Sequence, residues 1–181
     1  MKIVSVSENQ KNEKRIAITP EIAKKYKSLG FEISLPENYG SHLGFKDNEY
    51  KELGLKMFKD ENEIISGSDI IVQLGLLSDD KISLLKKNQT IIGIFNPYVN
   101  KEKLEILSKK NINLFSLELL PRITRAQSMD VLSSQSNLAG YKAVIESFAA
   151  FEKAIPMMIT AAGTIPAAKV LVVGAGVAGL Q

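Results

Sequence analysis

The sequence predicts a protein of the α/β class, built around a parallel β-sheet. Over residues 1–124, short apolar and β-branched runs alternate with segments of helical periodicity, which is the pattern of strands joined by crossover helices. A later apolar run, residues 169–173, leads directly into a glycine-rich loop. We therefore expect an N-terminal α/β domain over residues 1–124, a polar loop and connecting helix over 125–165, and the first strand and turn of a second α/β domain over 166–181.

The elements of the first domain follow from the positions of apolar runs and breaker residues. The first helix is defined most sharply, because Thr19 can cap it, Pro20 suits its first position and Gly30 can end it. Further helices are predicted at residues 48–53, 78–87 and 101–110. The predicted strands are residues 3–6, 31–35, 55–58, 70–74, 90–95 and 112–117.

The pattern changes after Pro121. Apolar residues then recur at a spacing of three to four between residues 136 and 152, which predicts one long helix with a broad buried face, limited by Pro156. Its apolar positions are Leu138, Tyr141, Val144, Ile145, Phe148 and Phe151. The next element is the predicted strand at residues 169–173.

Composition excludes several classes of chemistry. The 181 residues include no cysteine, which excludes disulfide frameworks, zinc–thiolate sites, iron–sulfur clusters and cysteine nucleophiles. With His42 as the single histidine, we expect no metal site. The net charge of +3 is small and evenly spread, so we expect no nucleic-acid partner.

Two further features concern the environment and the completeness of the chain. Met1 leads directly into a strand with no signal peptide before it, and the longest weakly charged stretch, residues 154–168, holds two prolines, so we expect a cytoplasmic protein. Only six of the 43 charged residues fall in residues 127–181. Because the chain stops within the glycine loop, we expect it not to form a complete dinucleotide-binding fold.

The glycine loop has the spacing of a dinucleotide-binding turn. Gly174, Gly176 and Gly179 fit Gly-x-Gly-x-x-Gly directly after a predicted strand, where the glycines allow a tight turn, approach of a pyrophosphate and helix packing. The acidic residue that would bind the adenosine ribose, about 20 positions later, would lie beyond Gln181. The alternative is a glycine-rich turn that binds no ligand.

Residues 118–137 concentrate polar side chains after a strand end, where open α/β sheets bind ligands. Guanidinium, carboxamide and hydroxyl groups predominate, and these orient ligands rather than transfer protons. The alternative is structural. In that alternative, Arg122 and Arg125 pair with Glu118 and Asp130, while the following helix is capped by Asp130, Ser133 or Ser136.

Three runs carry a resemblance to a known family. Residues 121–144 (Pro-Arg-Ile-Thr-Arg-Ala-Gln-Ser-Met-Asp and onward), 156–166 and 173–181 resemble the NAD(H)-binding alpha subunit of proton-translocating NAD(P) transhydrogenases. The resemblance extends over the whole chain. Residues 12–20 also show a pattern shared with alanine dehydrogenase.

This resemblance implies a fold, an activity and partners. In the transhydrogenases the subunit has two Rossmann-like domains, forms a homodimer, and works with a membrane proton-channel subunit and an NADP(H)-binding subunit. It therefore implies direct hydride transfer between NAD(H), bound by this chain, and NADP(H) on a partner, coupled to proton movement across the membrane. The chain would lie peripherally at the inner face of the cell membrane, held there by partner subunits.

The resemblance also implies roles for individual residues. Arg122, Gln127 and Asp130 would lie on a mobile loop beside the nicotinamide, with Gln127 reaching toward the NADP(H) site. The cofactor-binding residues it implies are Gln127, Ser128, Met129, Asp130, Ser133, Gly174, Gly176, Val177 and Gly179. Direct hydride transfer needs no catalytic histidine, metal or nucleophile, which agrees with the composition.

Two other functions remain open. An alanine dehydrogenase would need a lysine and a histidine in the first domain, where this sequence has Gln73 and Asn96-Pro97-Tyr98. These absences argue against amino-acid oxidation, so Arg15 would have no substrate carboxylate to bind and is expected to be structural, and His42 is expected to be a loop residue. Alternatively, the chain is a fragment or interaction module without activity of its own, and residues 1–181 alone would bind NADH weakly or not at all.

Overall fold

The computed structural model describes all 181 residues, and the chain forms two compact units. Unit 1 is Met1–Leu120 and unit 2 is Pro121–Gln181.

Unit 1 is built on a six-stranded sheet in which every neighbouring pair of strands is parallel. The strand order is β3-β2-β1-β4-β5-β6, so the direction of winding reverses between β1 and β4. This arrangement confirms the predicted parallel α/β fold. The strands are β1 (Lys2–Val4), β2 (Glu32–Pro36), β3 (Lys56–Phe58), β4 (Ile70–Val72), β5 (Thr90–Gly93) and β6 (Asn113–Ser116).

Five helices connect these strands, and the predicted end signals of the first are confirmed. The Thr19 side chain accepts a hydrogen bond from the backbone N–H of Ile22, and Gly30 adopts a φ of +86° just past the helix end. Helix α3 was not predicted from the sequence, because its two buried apolar residues, Ile64 and Ile65, are adjacent rather than three or four positions apart. The helices are α1 (Pro20–Ser28), α2 (Asp47–Glu52), α3 (Glu61–Ser66), α4 (Asp79–Ser83) and α5 (Lys101–Lys109).

The core of unit 1 consists of two apolar clusters, because alternate residues of a strand point to opposite faces of a sheet. Ile71 of β4 belongs to one cluster, while its neighbours Ile70 and Val72 pack against the other. In β1, Ile3 and Val4 divide between the clusters in the same way. Burial on both faces is what a doubly wound parallel sheet requires.

Unit 2 contains one long helix and one small hairpin. A 3-10 helix at Thr124–Met129 precedes α6 (Val131–Ala150), and an antiparallel hairpin follows, formed by β7 (Met158–Thr160) and β8 (Gly163–Ile165). The helix begins five residues before the predicted start, because Asp130 caps it rather than a later serine.

Two sequence predictions for unit 2 are wrong. The apolar face of α6 is largely exposed (Tyr141 58%), because the only sheet in unit 2 is a hairpin whose own six residues are exposed. Residues 169–173 form no strand, since no other segment pairs with them, and strand geometry needs a partner for its backbone groups. The side chains of Leu171 and Val173 are 87% and 93% exposed.

No helix of the protein combines the length and the apolar character needed to cross a membrane.

Candidate functional site

Asp130 is the most firmly fixed of the predicted site residues. Its Oδ1 accepts hydrogen bonds from the backbone N–H groups of Leu132 and Ser133, both at 3.0 Å, and its Oδ2 accepts one from Ser133 Oγ at 2.6 Å. The hydrogen bonds from Ser133, first of all from its hydroxyl, lower the pKa of Asp130, and the positive charge of Arg122 adds to this effect. Asp130 is therefore an ionised carboxylate at neutral pH.

The other polar side chains of residues 122–129 lie at the surface of the protein. Arg122, Arg125, Gln127 and Ser128 are exposed, and Met129 is 52% exposed, while Ala126 alone in the 3-10 helix is buried. Their exposed groups are available to a ligand.

The structure does not contain the ion pairs of the structural alternative. No carboxylate lies within 4.0 Å of the guanidinium group of Arg122 or Arg125. Within unit 1, Glu118 instead accepts hydrogen bonds from the Asn96 backbone N–H and from Ser116 Oγ. The capping half of that alternative is confirmed, because Asp130 caps α6.

Two of the three loop glycines are required by the geometry of the chain itself. Gly174 has a φ of +111°, a conformation that favours glycine. A Cβ on Gly179 would lie 2.1 Å from the carbonyl oxygen of Gly174, which no side chain can do. The Leu180 N–H donates to the carbonyl oxygen of Gly176 at 3.0 Å and closes the turn.

Gly176, the middle glycine, lies in a different environment. At Gly176 an added Cβ would meet no atom within 4 Å, and its φ is not in the left-handed region. Neither packing nor backbone strain therefore requires glycine there. Val177 beside it is 44% exposed. Open space at the second glycine is what the approach of a pyrophosphate would use.

One residue that contacts the glycine loop was not predicted from the sequence, Gly140 of α6. It lies against the backbone of Ala178. The available signal was an isolated glycine within a strong helical pattern, which costs helix stability unless packing requires it.

In unit 1, Gln73 occupies the position after β4 at which the alanine dehydrogenase pattern would have lysine. Its side chain is buried, and its amide Nε2 donates to the Val6 carbonyl oxygen at 3.0 Å. Its Oε1 accepts from the Val6 N–H and from Ser5 Oγ, both at 3.2 Å. Gln73 therefore ties the end of β4 to the chain after β1 and is not exposed to a substrate.

Arg15 and His42 both hold the long loop after β1. The Arg15 guanidinium pairs with the Glu13 carboxylate through two hydrogen bonds, Nε to Oε1 at 2.9 Å and a terminal nitrogen to Oε2 at 2.6 Å, and this pairing lowers the pKa of Glu13. His42 Nε2 lies 2.7 Å from the carbonyl oxygen of Lys14, and its Nδ1 lies 3.3 Å from Gln10 Nε2. These contacts support the structural interpretation of both residues.

Two family models match the chain. The model described as "Alanine dehydrogenase/PNT, N-terminal domain" matches residues 5–139, and the corresponding C-terminal domain model matches residues 143–181. The chain belongs to the alanine dehydrogenase/PNT family. This match confirms the resemblance to the transhydrogenases and the relation to alanine dehydrogenase, both of which the sequence indicated.

Within this family the chain is similar to transhydrogenases. It is 49% identical over its whole length to a Rickettsia prowazekii protein named as the first part of NAD(P) transhydrogenase subunit alpha, of which it covers 48%. A crystal structure of transhydrogenase from Sinorhizobium meliloti matches 98% of the chain, and 53% of that protein, with a TM-score of 0.91 and 44% identity. The chain therefore spans about half the length of these relatives, which are oxidoreductases by name.

A solved L-alanine dehydrogenase shows the shared fold. It matches 77% of the chain and 38% of its own length with a TM-score of 0.70, at 18% identity. At that identity the likeness concerns the fold alone, and it agrees with the Rossmann-like architecture of unit 1.

Proposed function

We propose that this chain is the N-terminal half of an NAD(H)-binding transhydrogenase subunit, which takes part in direct hydride transfer between NAD(H) and NADP(H). The observation that carries the proposal is the set of polar groups in residues 122–130. Arg122 and Gln127 are exposed and unpaired, and they lie close in sequence to Asp130, a carboxylate held in its ionised form. Such a set can bind and orient a dinucleotide but offers no group suited to proton transfer at neutral pH.

The glycine loop fits the phosphate end of the same ligand. Gly176 presents open space where a side chain would otherwise stand, so the pyrophosphate of a dinucleotide can approach the backbone there. Gly174 and Gly179 shape the turn, and the half-exposed Val177 would line the pocket. Ser128, Met129 and Ser133 would contact the nicotinamide end.

Bound NAD(H) supplies the hydride at its nicotinamide ring, and the residues of this chain position that ring. The Asp130 carboxylate, held by Ser133, provides a fixed negative charge at the start of α6. The Arg122 guanidinium provides a positive charge, and the Gln127 carboxamide can both donate and accept hydrogen bonds. Their contribution is proximity and orientation, which together can supply a large part of a rate enhancement.

The relatives are named as alpha subunits, which supports the presence of partner subunits. We place NADP(H) on a partner component and proton movement in a membrane channel subunit. The chain would act as part of a homodimer and would reach the inner face of the cell membrane through those partners.

Oxidation of an amino acid is the second candidate, favoured by the shared fold and the residues 12–20 pattern. That reaction needs a group to bind the carboxylate and a group to move protons. Gln73 is neutral, buried and bonded to Val6, and Arg15 is paired with Glu13. The structure therefore favours hydride exchange between dinucleotides.

The test uses a fusion of residues 1–181 with the remaining C-terminal half of the Rickettsia prowazekii relative, which we call the joined subunit. Gln127→Asn shortens the side chain by one methylene group and keeps the carboxamide. We expect hydride transfer to an NADP analogue, with an NADP(H)-binding component present, to fall by about 100-fold, the cost of a misplacement near 1 Å. The affinity for NADH, measured by fluorescence titration, should change by less than about twofold.

The matched control is Gln10→Asn, because Gln10 is also an exposed glutamine but lies in unit 1, against His42. Both rate and affinity should be unchanged in this control. Equal losses of rate and affinity in Gln127→Asn would mean that Gln127 only binds, and would contradict its proposed role in transfer.

A further inference from the structure

Gly140 lies in the middle of α6 and is the only buried residue of that 20-residue helix. Glycine lowers helix stability relative to alanine, and the neighbouring turns of α6 carry larger residues. The presence of glycine at this position therefore needs an explanation other than helix formation.

That reason is a close approach of the glycine loop. A Cβ on Gly140 would lie 2.2 Å from the carbonyl oxygen of Ala178, 2.9 Å from its carbonyl carbon and 3.0 Å from its Cα. All three are backbone atoms, so no rotation of a side chain can relieve the clash. A side chain at position 140 would have to push the loop away from the helix.

A second contact holds the loop one helical turn earlier. Asn137 Nδ2 donates a hydrogen bond to Gln181 Oε1 at 2.5 Å. The loop is also closed on itself, by the Leu180 N–H bond to the Gly176 carbonyl oxygen and by the close approach of Gly179 to Gly174. The loop therefore lies on α6 as one unit.

The same helix begins at Asp130, ten residues before Gly140. At about 1.5 Å of rise per residue, about 15 Å of helix separates the two positions. Asp130 and Ser133 mark the end proposed for the nicotinamide, and the glycine loop marks the end proposed for the pyrophosphate. Helix α6 therefore fixes the spacing between the two ends of the proposed site.

We propose that Gly140 is a positioning residue for dinucleotide binding: its lack of a side chain lets the glycine loop lie on α6 at the spacing from Asp130 that one bound dinucleotide requires. The inference rests on the proposed function. Gly140 itself makes no contact with the ligand, and the requirement for glycine thereby extends beyond the glycine loop.

The test is Gly140→Ala in the joined subunit, because helix propensity and loop packing predict opposite results. If propensity alone mattered, alanine would stabilise α6 and leave binding unchanged. We expect instead that the Kd and KM for NADH rise by at least about tenfold, while kcat at saturating NADH stays within about twofold, since Arg122, Gln127 and Asp130 are untouched.

The control is Ala139→Ser, which adds one atom at the adjacent, exposed position and should leave the Kd unchanged. In residues 1–181 alone, amide hydrogen exchange gives a readout that needs no ligand. Exchange of the Leu180 N–H should accelerate in Gly140→Ala and not in Ala139→Ser, because the displaced loop loses its support.

Asn137→Ala removes the second contact without adding bulk. This variant tests the same inference if Gly140→Ala does not fold. We expect a smaller rise in the Kd, of about threefold, which is the effect of losing one exposed hydrogen bond. Unchanged NADH affinity in the folded variants, with normal binding by the unmodified joined subunit, would overturn this inference alone. Failure of the unmodified joined subunit to bind NADH would instead contradict the proposed function.

Discussion

Single glutamines of this protein show how burial decides what a side chain does. Gln73 and Gln89 are each 4% exposed, and their amides bond to backbone groups of neighbouring segments, Gln73 to Val6 and Gln89 to Ile65 and Ser68. Gln127 is exposed. The buried amides hold the segments that flank the strands, whereas the exposed one is available to a ligand.

The role of Gln73 predicts a large loss of stability on truncation. Gln73→Ala leaves the Val6 N–H and carbonyl groups unpaired in the core and opens a cavity, so we expect the free energy of unfolding to fall by about 3 kcal/mol. Denaturant titration measures this change.

Gln10→Ala provides the matched comparison, since Gln10 is exposed and bonds only to His42. Its free energy of unfolding should change by less than about 0.5 kcal/mol. Similar losses in the two variants would show that the Gln73 hydrogen bonds do not hold β4 to the chain after β1.

Residue types alone predicted the polar segment and the glycine loop but not which side chains are buried. The sequence singled out Arg122, Gln127 and Asp130 because polar groups gather after a strand end. It could not show that Asp130 would cap α6 with one oxygen and bind Ser133 with the other. Nor could it show the proximity of Gly140 to Ala178, because that contact joins residues 38 positions apart.

At the level of elements, the chain after β1 is held against two helices through one carboxylate. Glu61, at the start of α3, accepts a hydrogen bond from the Ser7 N–H at 2.9 Å and pairs with Lys81 of α4 at 2.6 Å. The Glu61 and Lys81 side chains are 22% and 19% exposed. Burial raises the pKa of Glu61, but the hydrogen bonds from Lys81 and Ser7 outweigh it, and the pKa lies below its usual value of 4.5.

This lowered pKa predicts a specific loss of stability in acid. The unfolded chain binds the Glu61 proton more readily than the folded one, so the contribution of Glu61 is complete above pH 4.5 and disappears as the pH falls through the lower folded-state pKa. Glu61→Gln should therefore flatten the decline of the free energy of unfolding below pH 4.5, as measured by urea titration across pH.

Glu21→Gln is the control for that experiment. Glu21 also pairs with a lysine, Lys25 at 2.8 Å, but the two side chains are 77% and 64% exposed, and solvent screens such pairs. Its acid profile should match that of the unmodified protein. A Glu61→Gln profile that also matches would contradict the account of how the loop is held.

Elements were predicted well where the signal is local. Thr19, Pro20 and Gly30 defined α1, and the buried runs defined β4 and β5. The prediction was wrong for residues 169–173 and for the buried face of α6, because both depend on partners that periodicity does not reveal. An apolar run becomes a strand only when another strand satisfies its backbone groups.

For the whole molecule, the step in charge near residue 127 coincides closely with the division into units at Leu120 and Pro121. Unit 1 buries its apolar residues in two clusters and carries most of the charge on its surface. Unit 2 has few charges and exposes apolar side chains on α6 and at residues 170–173. The chain spans about half the length of its transhydrogenase relatives, so the proposed activity is one of the longer subunit.

The central claim, that the site serves hydride exchange between dinucleotides, is tested most directly with the joined subunit and an NADP(H)-binding component. Spectrophotometry should follow transfer from NADH to an NADP analogue, and in parallel the reduction of NAD with alanine as donor. We predict NADH-dependent reduction of the analogue and no reaction with alanine or pyruvate. Alanine-dependent reduction of NAD without transfer between the dinucleotides would contradict the account.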